Sequence, residues 1–549
     1  MSVSTSLPAT GRRQCLLPAA RPAWTFCGLT VAALLGACGS DSVDTWPASQ
    51  PLAQACPGFA PAGLPHAAKF LKTELRAEGG GLPRACIVRG EIKSSDVSTI
   101  TFAVELPEGA DWNGKTLTVG GGGMDGFIPT DDPWYHMAVM GPSSLPFVRI
   151  SSNSGHWFSP DVNWILDAAA LKNHAYEANH LVLEVGVRLA KMFYGRTPTH
   201  RYMIGQSNGG RSGLMAASRY PNDYHGIVAF APAISQQAHQ VNLGPNNRWI
   251  YGARGHWMSP GKTALFAAAE IEACDALDGL RDGVIGNAEA CSYVPNDLKC
   301  ADDAAGAADD SCLTSGQIEA IRLNYSDKTV PLELANGMTG YQRYGRGGAA
   351  TGDWIPYAFG DNFDGFGWPA RGFSYIAPTA FIQALTGDPT ADSISHDPLT
   401  IPDTWRALSD VMEPGTSLSA FGKGGGKLLV WYGIADTCVS AYRTAAYLDL
   451  VRQDSGDAVY QGYARFVTSP AIGHDFTGPG AAPVDMLKTM MAWVENGTAP
   501  DNLVGAHTNT QGQVEFERPL CPYPAYAHYN GTGDPKLAAS FSCKVHGAP

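Results

Sequence analysis

Short apolar runs separated by turn residues predict a series of β-strands between residues 100 and 232. Between these strands, residues 170–193 and 210–220 carry apolar positions at the i, i+4 spacing of a helix with one buried face. The strands are predicted at residues 100–106, 115–119, 147–151, 201–204 and 227–232. Alternation of strands and helices is typical of an α/β protein with an open parallel sheet.

This pattern stops near residue 235 and resumes near residue 426. The intervening sequence is rich in Gly, Asp, Asn and Trp and predicts mostly irregular structure with scattered helices, such as residues 314–323. After it, strands are predicted at residues 427–432 and 464–467, and helices at 441–452 and 484–496. A chain of 549 residues exceeds the size at which one hydrophobic core suffices, so we expect two substructures, or one large core with a big insertion. Residues 56–234 and 426–549 form a core domain, and residues 235–425 form an inserted domain, called the lid below.

The charge balance bears on possible partners. The formal net charge is −13, and no basic stripe occurs along the chain. Since a phosphate backbone requires a basic surface, we expect no nucleic-acid partner.

The N-terminal residues predict export. Arg12, Arg13 and Arg21 precede an apolar run over residues 26–37, which is too short to span a bilayer and is typical of a signal peptide at residues 1–37. The run ends in Leu-Gly-Ala before Cys38, which resembles a bacterial lipobox. We expect a lipid anchor at Cys38, as the only link to a membrane, and a tether at residues 38–55. The protein is then expected to be an exported bacterial lipoprotein of the outer membrane or the periplasm. The alternatives are ordinary cleavage, with Cys38 a bystander, and secretion.

The remaining cysteines suggest disulfides, because exported proteins meet an oxidising compartment. Short separations favour Cys274 with Cys291, Cys300 with Cys312, Cys521 with Cys543, and Cys56 with Cys86, which leaves Cys438 unpaired. No CxxC pair of the kind found in zinc sites occurs, so a metallohydrolase is excluded.

Ser207 lies at the centre of Gly-Gln-Ser-Asn-Gly, between a predicted strand and a predicted helix. A serine in Gly-x-Ser-x-Gly at such a turn is typical of the nucleophile of an α/β-hydrolase. In these enzymes an acid and then a histidine follow in chain order, each beyond a strand. Asp436 and His474 fit both positions, with His474 as general base and Asp436 as the residue that orients it. Taken alone, Asp436 could be a solvated loop acid and His474 a turn histidine.

Two groups are expected to bind the oxyanion. One is the backbone N–H of Asn208, directly after the serine, and the other comes from the run Gly120-Gly121-Gly122-Gly123, where we favour Gly122 or Gly123. The alternative is a phosphate-binding loop, but the Lys and Ser/Thr of that motif are missing.

From residue 86 to residue 543 the chain resembles the tannase and feruloyl esterase family, which includes hydrolases of terephthalate monoesters. The resemblance is carried by Asp111-Trp112-Asn113-Gly114-Lys115, Ser154-Gly155-His156, the segment 205–211 around Ser207, the segment 220–229, and Arg518-Pro519-Leu520-Cys521. It implies an α/β-hydrolase core with a large lid between nucleophile and acid.

One departure concerns the triad. The family implies a disulfide between the residue before the nucleophile and the residue after the catalytic histidine, but these positions hold Gln206 and Asp475. We therefore expect packing and a polar contact to align Ser207 with His474.

The resemblance also implies a structural calcium ion in the lid. The matching ligands are the carboxylates of Asp275, Asp278 and Asp282 and the carbonyls of Leu280 and Val284. Hard oxygen ligands on a Gly-rich turn suit Ca²⁺. A plain acidic surface turn is the alternative.

The family's acyl pockets imply esters of aromatic acids or small polyester-derived esters as substrates. In the lid, Trp368 and other aromatic residues could line such a pocket, and Arg371 could pair with a substrate carboxylate. The same aromatic residues could instead form a small core of the lid. A serine carboxylic ester hydrolase is the leading hypothesis, with a serine amidase or acyltransferase as the alternative and an inactive binding relative as a third.

Overall fold

A twelve-stranded mixed sheet forms the centre of the protein. The computed structural model describes residues 50–79, 82–132 and 145–547. The strands are β1 (Lys69–Arg76), β2 (Ala85–Lys93), β3 (Thr99–Pro107), β4 (Lys115–Gly120), β5 (Val148–Ser152), β6 (His200–Gln206), β7 (Gly226–Phe230), β8 (Lys328–Leu334), β9 (Met338–Tyr341), β10 (Lys427–Gly433), β11 (Ala464–Ser469), β12 (Ala482–Pro483), β13 (Leu503–Thr508), β14 (Val514–Pro522), β15 (Ala525–Tyr529) and β16 (Phe541–Val545).

The strand order in the large sheet is β1-β2-β3-β5-β4-β6-β7-β10-β11-β14-β13-β12. The strands from β5 to β11 in this order are parallel to one another. Every residue of β7 is buried, as expected where helices cover both faces of a parallel sheet. The carboxyl ends of β4, β6, β10 and β11 therefore meet at one edge, where the candidate functional residues follow.

Helices cover this sheet and form much of the lid. They are α1 (Leu52–Gly58), α2 (Ala168–Lys172), α3 (Ala178–Tyr194), α4 (Asn208–Arg219), α5 (Gln236–Gly252), α6 (Pro260–Cys274), α7 (Asp303–Gly306), α8 (Ser315–Asn324), α9 (Phe373–Thr386), α10 (Pro402–Met412), α11 (Ser419–Lys423), α12 (Ala441–Ser455), α13 (Asp457–Tyr463) and α14 (Met486–Asn496). One π-helical segment, Asn173–Glu177, joins α2 to α3, so the helix predicted at residues 170–193 is present with a local widening. The α/β core with parallel strands that the strand and helix pattern predicts is thus observed.

The antiparallel pairing of two flanks was not predicted, although β3 coincides with the strand predicted at residues 100–106. Strands β1, β2 and β3 extend one edge of the sheet, and β14, β13 and β12 extend the other. The predicted tether also ends too late, because α1 begins at Leu52, and Leu52 and Ala55 are buried.

The lid is more regular than its sequence suggests. It contains the helices α5 to α10 and the hairpin β8–β9. Trp354, Phe359 and Phe266 are fully buried in a hydrophobic cluster whose members all belong to the lid. These aromatic residues thus form a core of the lid, while Phe366 and Trp368 are exposed by 85% and 61%.

Four disulfides join the cysteine pairs predicted from the sequence: Cys56–Cys86, Cys274–Cys291, Cys300–Cys312 and Cys521–Cys543. Cys438 is free and buried, as predicted. Disulfides in this number indicate an exported protein. The predicted signal peptide and Cys38 lie outside the described residues. Within the described residues, none of the helices combines the length and the apolar character that crossing a membrane requires.

Candidate active site

Ser207 occupies a sharp turn between β6 and α4. Its backbone has φ of 56° and ψ of −119°, a conformation that most residues avoid, and its N–H donates to the carbonyl of Phe230. A side chain at Gly205 would place its Cβ 2.5 Å from the backbone of Gly209. Only glycine therefore fits at the first position of the predicted elbow motif.

Asp436 and His474 are brought together beyond the ends of β10 and β11. The Nδ1 atom of His474 lies 2.8 Å from Oδ2 of Asp436. The other carboxylate oxygen, Oδ1, accepts the N–H groups of Cys438 and Val439. This geometry holds the imidazole in one orientation with Nε2 free of the acid, as a general base requires.

Both residues of this pair are buried, with exposures of 1% for Asp436 and 5% for His474. Burial disfavours the imidazolium, but the charge of Asp436 and the thiol of Cys438 outweigh it, so the pKa of His474 lies well above its usual value. Asp436 can thus stabilise a protonated His474, as the acid of a catalytic triad does.

Gln206 supplies the polar contact expected in place of a disulfide. Its side-chain amide donates a hydrogen bond to the main-chain carbonyl of His474. On the next residue, the carboxylate of Asp475 accepts a hydrogen bond from Tyr357 Oη at 2.7 Å. The nucleophile elbow and the base loop are therefore joined directly.

Asp353 is a component of this site that the sequence analysis missed. It belongs to the lid, is 2% exposed, and accepts the N–H of His474 at 2.7 Å and the N–H of Thr437 at 3.3 Å. Burial and the charge of Asp436 raise the pKa of Asp353 to about 7. No sequence motif marks it, because it lies far along the chain from both residues that it contacts.

The glycine run after β4 packs against the elbow. A Cβ at Gly120 would lie 2.9 Å from Cα of Gly209, and one at Gly209 would lie 2.6 Å from the carbonyl oxygen of Gly120. Asn208 is the first residue of α4, where backbone N–H groups lack helical partners. Gly122 and Gly123 lie in the next turn, in which the Gly122 carbonyl accepts the N–H of Asp125.

Asp125 joins the two segments in which the oxyanion donors are predicted. Its buried carboxylate accepts hydrogen bonds from the Asn208 side-chain amide and from Ser154 Oγ. Burial raises the pKa of Asp125 to about 6. On the other side, Arg211 Nε donates to Asn208 Oδ1 at 2.7 Å. In the sequence, Ser154 and Arg211 are recognisable only as parts of motifs, and no pattern marks Asp125.

The two predicted substrate residues lie in one lid segment. Trp368 donates from Nε1 to the carbonyl of Pro356, next to Tyr357, whose ring centroid is 5.2 Å from that of His474. Arg371 lies between the rings of Tyr251 and Tyr375, and its Nε donates to Gly365. Trp368 is thus exposed and bound to the residue before Tyr357, whose ring contacts His474, whereas Arg371 is held by contacts within the lid.

The predicted calcium ligands lie between α6 and Cys291. Asp275 accepts the N–H groups of Asp282 and Gly283, and Arg518 donates to Asp282. The N–H of Leu280 donates to Asp278, and the carbonyl of Val284 accepts the N–H of Gly286. Within the described ranges, no three acidic, His or Cys side chains converge as metal ligands would.

The chain matches the family described as tannase and feruloyl esterase over residues 86–544. It is 31% identical over 483 residues to an uncharacterized esterase of Agrobacterium fabrum, covering 83% of this chain and 85% of that protein. It is 29% identical over 531 residues to a mono(2-hydroxyethyl) terephthalate hydrolase of Piscinibacter sakaiensis, covering 85% and 86%. A probable feruloyl esterase B-2 of Aspergillus terreus is 27% identical over 483 residues, with 84% and 86% covered.

Solved structures agree on the fold. Feruloyl esterase B from Aspergillus oryzae superposes with a TM-score of 0.75 at 22% identity, over 89% of this chain and 99% of that one. Tannin acyl hydrolase from Aspergillus niger has a TM-score of 0.67 at 19% identity, over 90% and 96%. The sequence relatives and the shared fold together show that this chain is a carboxylic ester hydrolase that belongs to the tannase and feruloyl esterase family.

Proposed function

We propose that the protein hydrolyses esters of aromatic carboxylic acids through an acyl-enzyme on Ser207. The observation that carries the proposal is the 2.8 Å contact between His474 Nδ1 and Asp436 on a loop tied to the strained elbow by Gln206. This arrangement supports the roles predicted from the sequence, with Ser207 as nucleophile, His474 as base and Asp436 as the orienting acid.

The reaction follows from these roles. Ser207 Oγ attacks the ester carbonyl while His474 Nε2 takes its proton, and the backbone N–H groups of Asn208 and of Gly122 or Gly123 bind the oxyanion. Collapse breaks the ester C–O bond, and His474 returns the proton to the leaving alkoxide. Water, deprotonated by His474, then hydrolyses the acyl-enzyme and releases the acid.

An aromatic acyl group is supported by the relatives and by the lid. The relatives include proteins named as feruloyl esterases and as a terephthalate monoester hydrolase. The Tyr357 ring beside His474 offers a flat apolar surface at the site, and exposed Trp368 is bound to the residue next to Tyr357. A panel of methyl ferulate, methyl gallate, mono(2-hydroxyethyl) terephthalate and methyl hexanoate tests this proposal, with Ser207→Ala as control. A higher kcat/KM for the hexanoate ester would refute it.

Arg371 is the proposed partner of a carboxylate on the substrate. Arg371→Gln should then raise KM for mono(2-hydroxyethyl) terephthalate and leave KM for methyl ferulate unchanged, because only the former carries a free carboxylate. Equal changes for both esters would assign Arg371 to lid packing instead.

A structural Ca²⁺ in the lid is also proposed, held by the carboxylates of Asp275, Asp278 and Asp282 and the carbonyls of Leu280 and Val284. The donor chemistry supports it: these are hard oxygen ligands, and Asp275 and Asp278 are buried at 7% and 4% exposure. Bound there, the ion would neutralise the carboxylates and fasten the lid turn.

The final proposal concerns location. We propose that the exported protein is acylated at Cys38 and held on a bacterial membrane by the lipid. Metabolic labelling with a palmitate analogue tests this: label should enter the wild type and be absent from Cys38→Ala.

A further inference from the structure

One lid carboxylate touches the main chain of both loops that carry the acid and the base. Oδ2 of Asp353 lies 2.7 Å from the N–H nitrogen of His474 and 3.3 Å from that of Thr437, the residue after Asp436. A single oxygen thus bridges two segments that follow different strands, β10 and β11.

The neighbouring glycine is shaped to accept this carboxylate. A Cβ at Gly473 would lie 2.2 Å from Oδ1 of Asp353, and its three nearest atoms all belong to that carboxylate. Gly473 also donates its own N–H to Thr477 within the base loop. A side chain at residue 473 would therefore have to displace Asp353.

The same lid segment makes a second contact with the base loop. Asp353 is followed by the π-helical segment Trp354–Phe359, which presents Tyr357 to the His474 ring and to Asp475. Trp354, next to Asp353, is completely buried in the lid core. The lid core therefore anchors both contacts.

We propose that Asp353 is a positioning residue for the catalytic triad, through which the lid holds the acid loop and the base loop in register. The inference rests on the proposed roles of Asp436 and His474. It extends them, because the lid then contributes to the rate of the chemical step and not only to substrate binding.

The test uses p-nitrophenyl acetate, whose small acyl group needs no aromatic pocket. Asp353→Ala should lower kcat by about 10- to 100-fold and change KM by less than about twofold, because a misplaced base slows the chemistry without removing a substrate contact. Asp353→Asn should retain kcat within about fivefold, since its amide oxygen can still accept both N–H groups. A loss of kcat in Asp353→Asn equal to that in Asp353→Ala would overturn the proposed role of the hydrogen bonds.

Glu270→Gln is the matched control. Glu270 is also a fully buried lid carboxylate, but it accepts from Arg346, Tyr325 and the N–H of Gly347, none of which belongs to the loops that carry Asp436 and His474. Its replacement should lower the melting temperature while leaving kcat within about twofold. An equal loss of kcat in Glu270→Gln would assign the effect of Asp353 to general lid stability.

A double-mutant cycle with Gly473→Ala completes the test. Alone, Gly473→Ala should reproduce the loss of kcat, since its methyl group expels the carboxylate; in the Asp353→Ala background it should cost less than about twofold more. Additive losses would overturn the inference, as would wild-type kcat in Asp353→Ala. If Asp353→Ala does not fold, Gly473→Ala is compared with Asp353→Asn instead: the first should lose kcat and the second should retain it, and wild-type kcat in Gly473→Ala would overturn the inference.

The same experiment distinguishes a failure of the proposed function from a failure of the role proposed for Asp353. Hydrolysis by the wild type that persists in Ser207→Ala, or its complete absence, would contradict the proposed function. Wild-type activity that depends on Ser207 but not on Asp353 would contradict this inference alone.

Discussion

The side-chain amide of Gln206 donates a hydrogen bond to the main-chain carbonyl of His474. Gln206, the residue before Ser207, therefore holds the loop that carries His474, one residue before position 475, with which the family resemblance implies a disulfide. Tyr357 binds Asp475, and Asp353 binds the N–H of His474. Non-covalent contacts thus hold both the N–H and the carbonyl of His474, and we expect substitutions of their partners to weaken the site.

Gln206→Ala should lower both stability and kcat. It removes the donor to a buried carbonyl, which costs about 1–3 kcal/mol of unfolding free energy, and it releases the base loop, for which we expect a loss of about tenfold in kcat. Denaturant unfolding and ester hydrolysis measure the two effects. Gln317→Ala is the control, because Gln317 is a buried lid residue that also donates to a main-chain carbonyl, that of Trp257. An equal loss of kcat in the control would refute the specific role of Gln206.

A disulfide at this position should strengthen the site. Gln206→Cys combined with Asp475→Cys should form a bond that raises the unfolding free energy by about 2–4 kcal/mol, because it closes a long loop in the unfolded chain. Thiol titration of the denatured protein reports its formation, and the melting temperature reports its effect. Each single cysteine variant serves as the control. A bonded double variant that melts no higher than the single variants would show that the polar contacts already hold the loops as firmly.

The sequence predicts the parts of this site that obey short local rules. The elbow at Ser207 needs glycines at fixed offsets, and Asp436 and His474 follow strands that contain buried apolar runs. Asp353 and Asp125 obey no such rule, because their partners are distant in the chain and a buried carboxylate looks like any other in sequence. The antiparallel flanks were missed for a similar reason, since edge strands such as β1 are largely exposed and lack a continuous apolar pattern. Helix α5 of the lid lacks a clear apolar stripe because it is buried on several sides.

Asp436→Asn should lower kcat by about 10³- to 10⁴-fold and change its pH dependence. The charge of Asp436 helps to hold the pKa of His474 above its usual value, so its removal lowers that pKa. Because the base acts when deprotonated, the acid limb of kcat/KM should move to lower pH. The other titratable groups near His474, namely Cys438, Tyr357, Asp475 and Asp353, remain in the variant, and the pKa of Asp353 falls as well, because the charge of Asp436 helps to raise it. A pH–rate profile with an unmoved acid limb would contradict this assignment.

Removal of calcium should destabilise the lid. At a free Ca²⁺ concentration of about 100 times the dissociation constant, the proposed ion contributes about 3 kcal/mol to the free energy of unfolding. Chelation by EGTA should therefore lower the melting temperature by several degrees. Addition of Ca²⁺ but not of Mg²⁺ should restore it. In Asp278→Asn, EGTA should have no effect, because a carboxylate ligand is missing. A wild-type melting temperature that is insensitive to EGTA would contradict the proposed calcium site.

The covalent intermediate tests the central claim most directly. Rapid acid quenching of the enzyme with p-nitrophenyl ferulate, followed by peptide mass spectrometry, should show a feruloyl group on the peptide that contains Ser207, in amounts approaching one per enzyme in the burst phase. The adduct should be absent from Ser207→Ala, together with turnover. A feruloyl group on another residue, or hydrolysis by Ser207→Ala at the wild-type rate, would contradict the proposed mechanism.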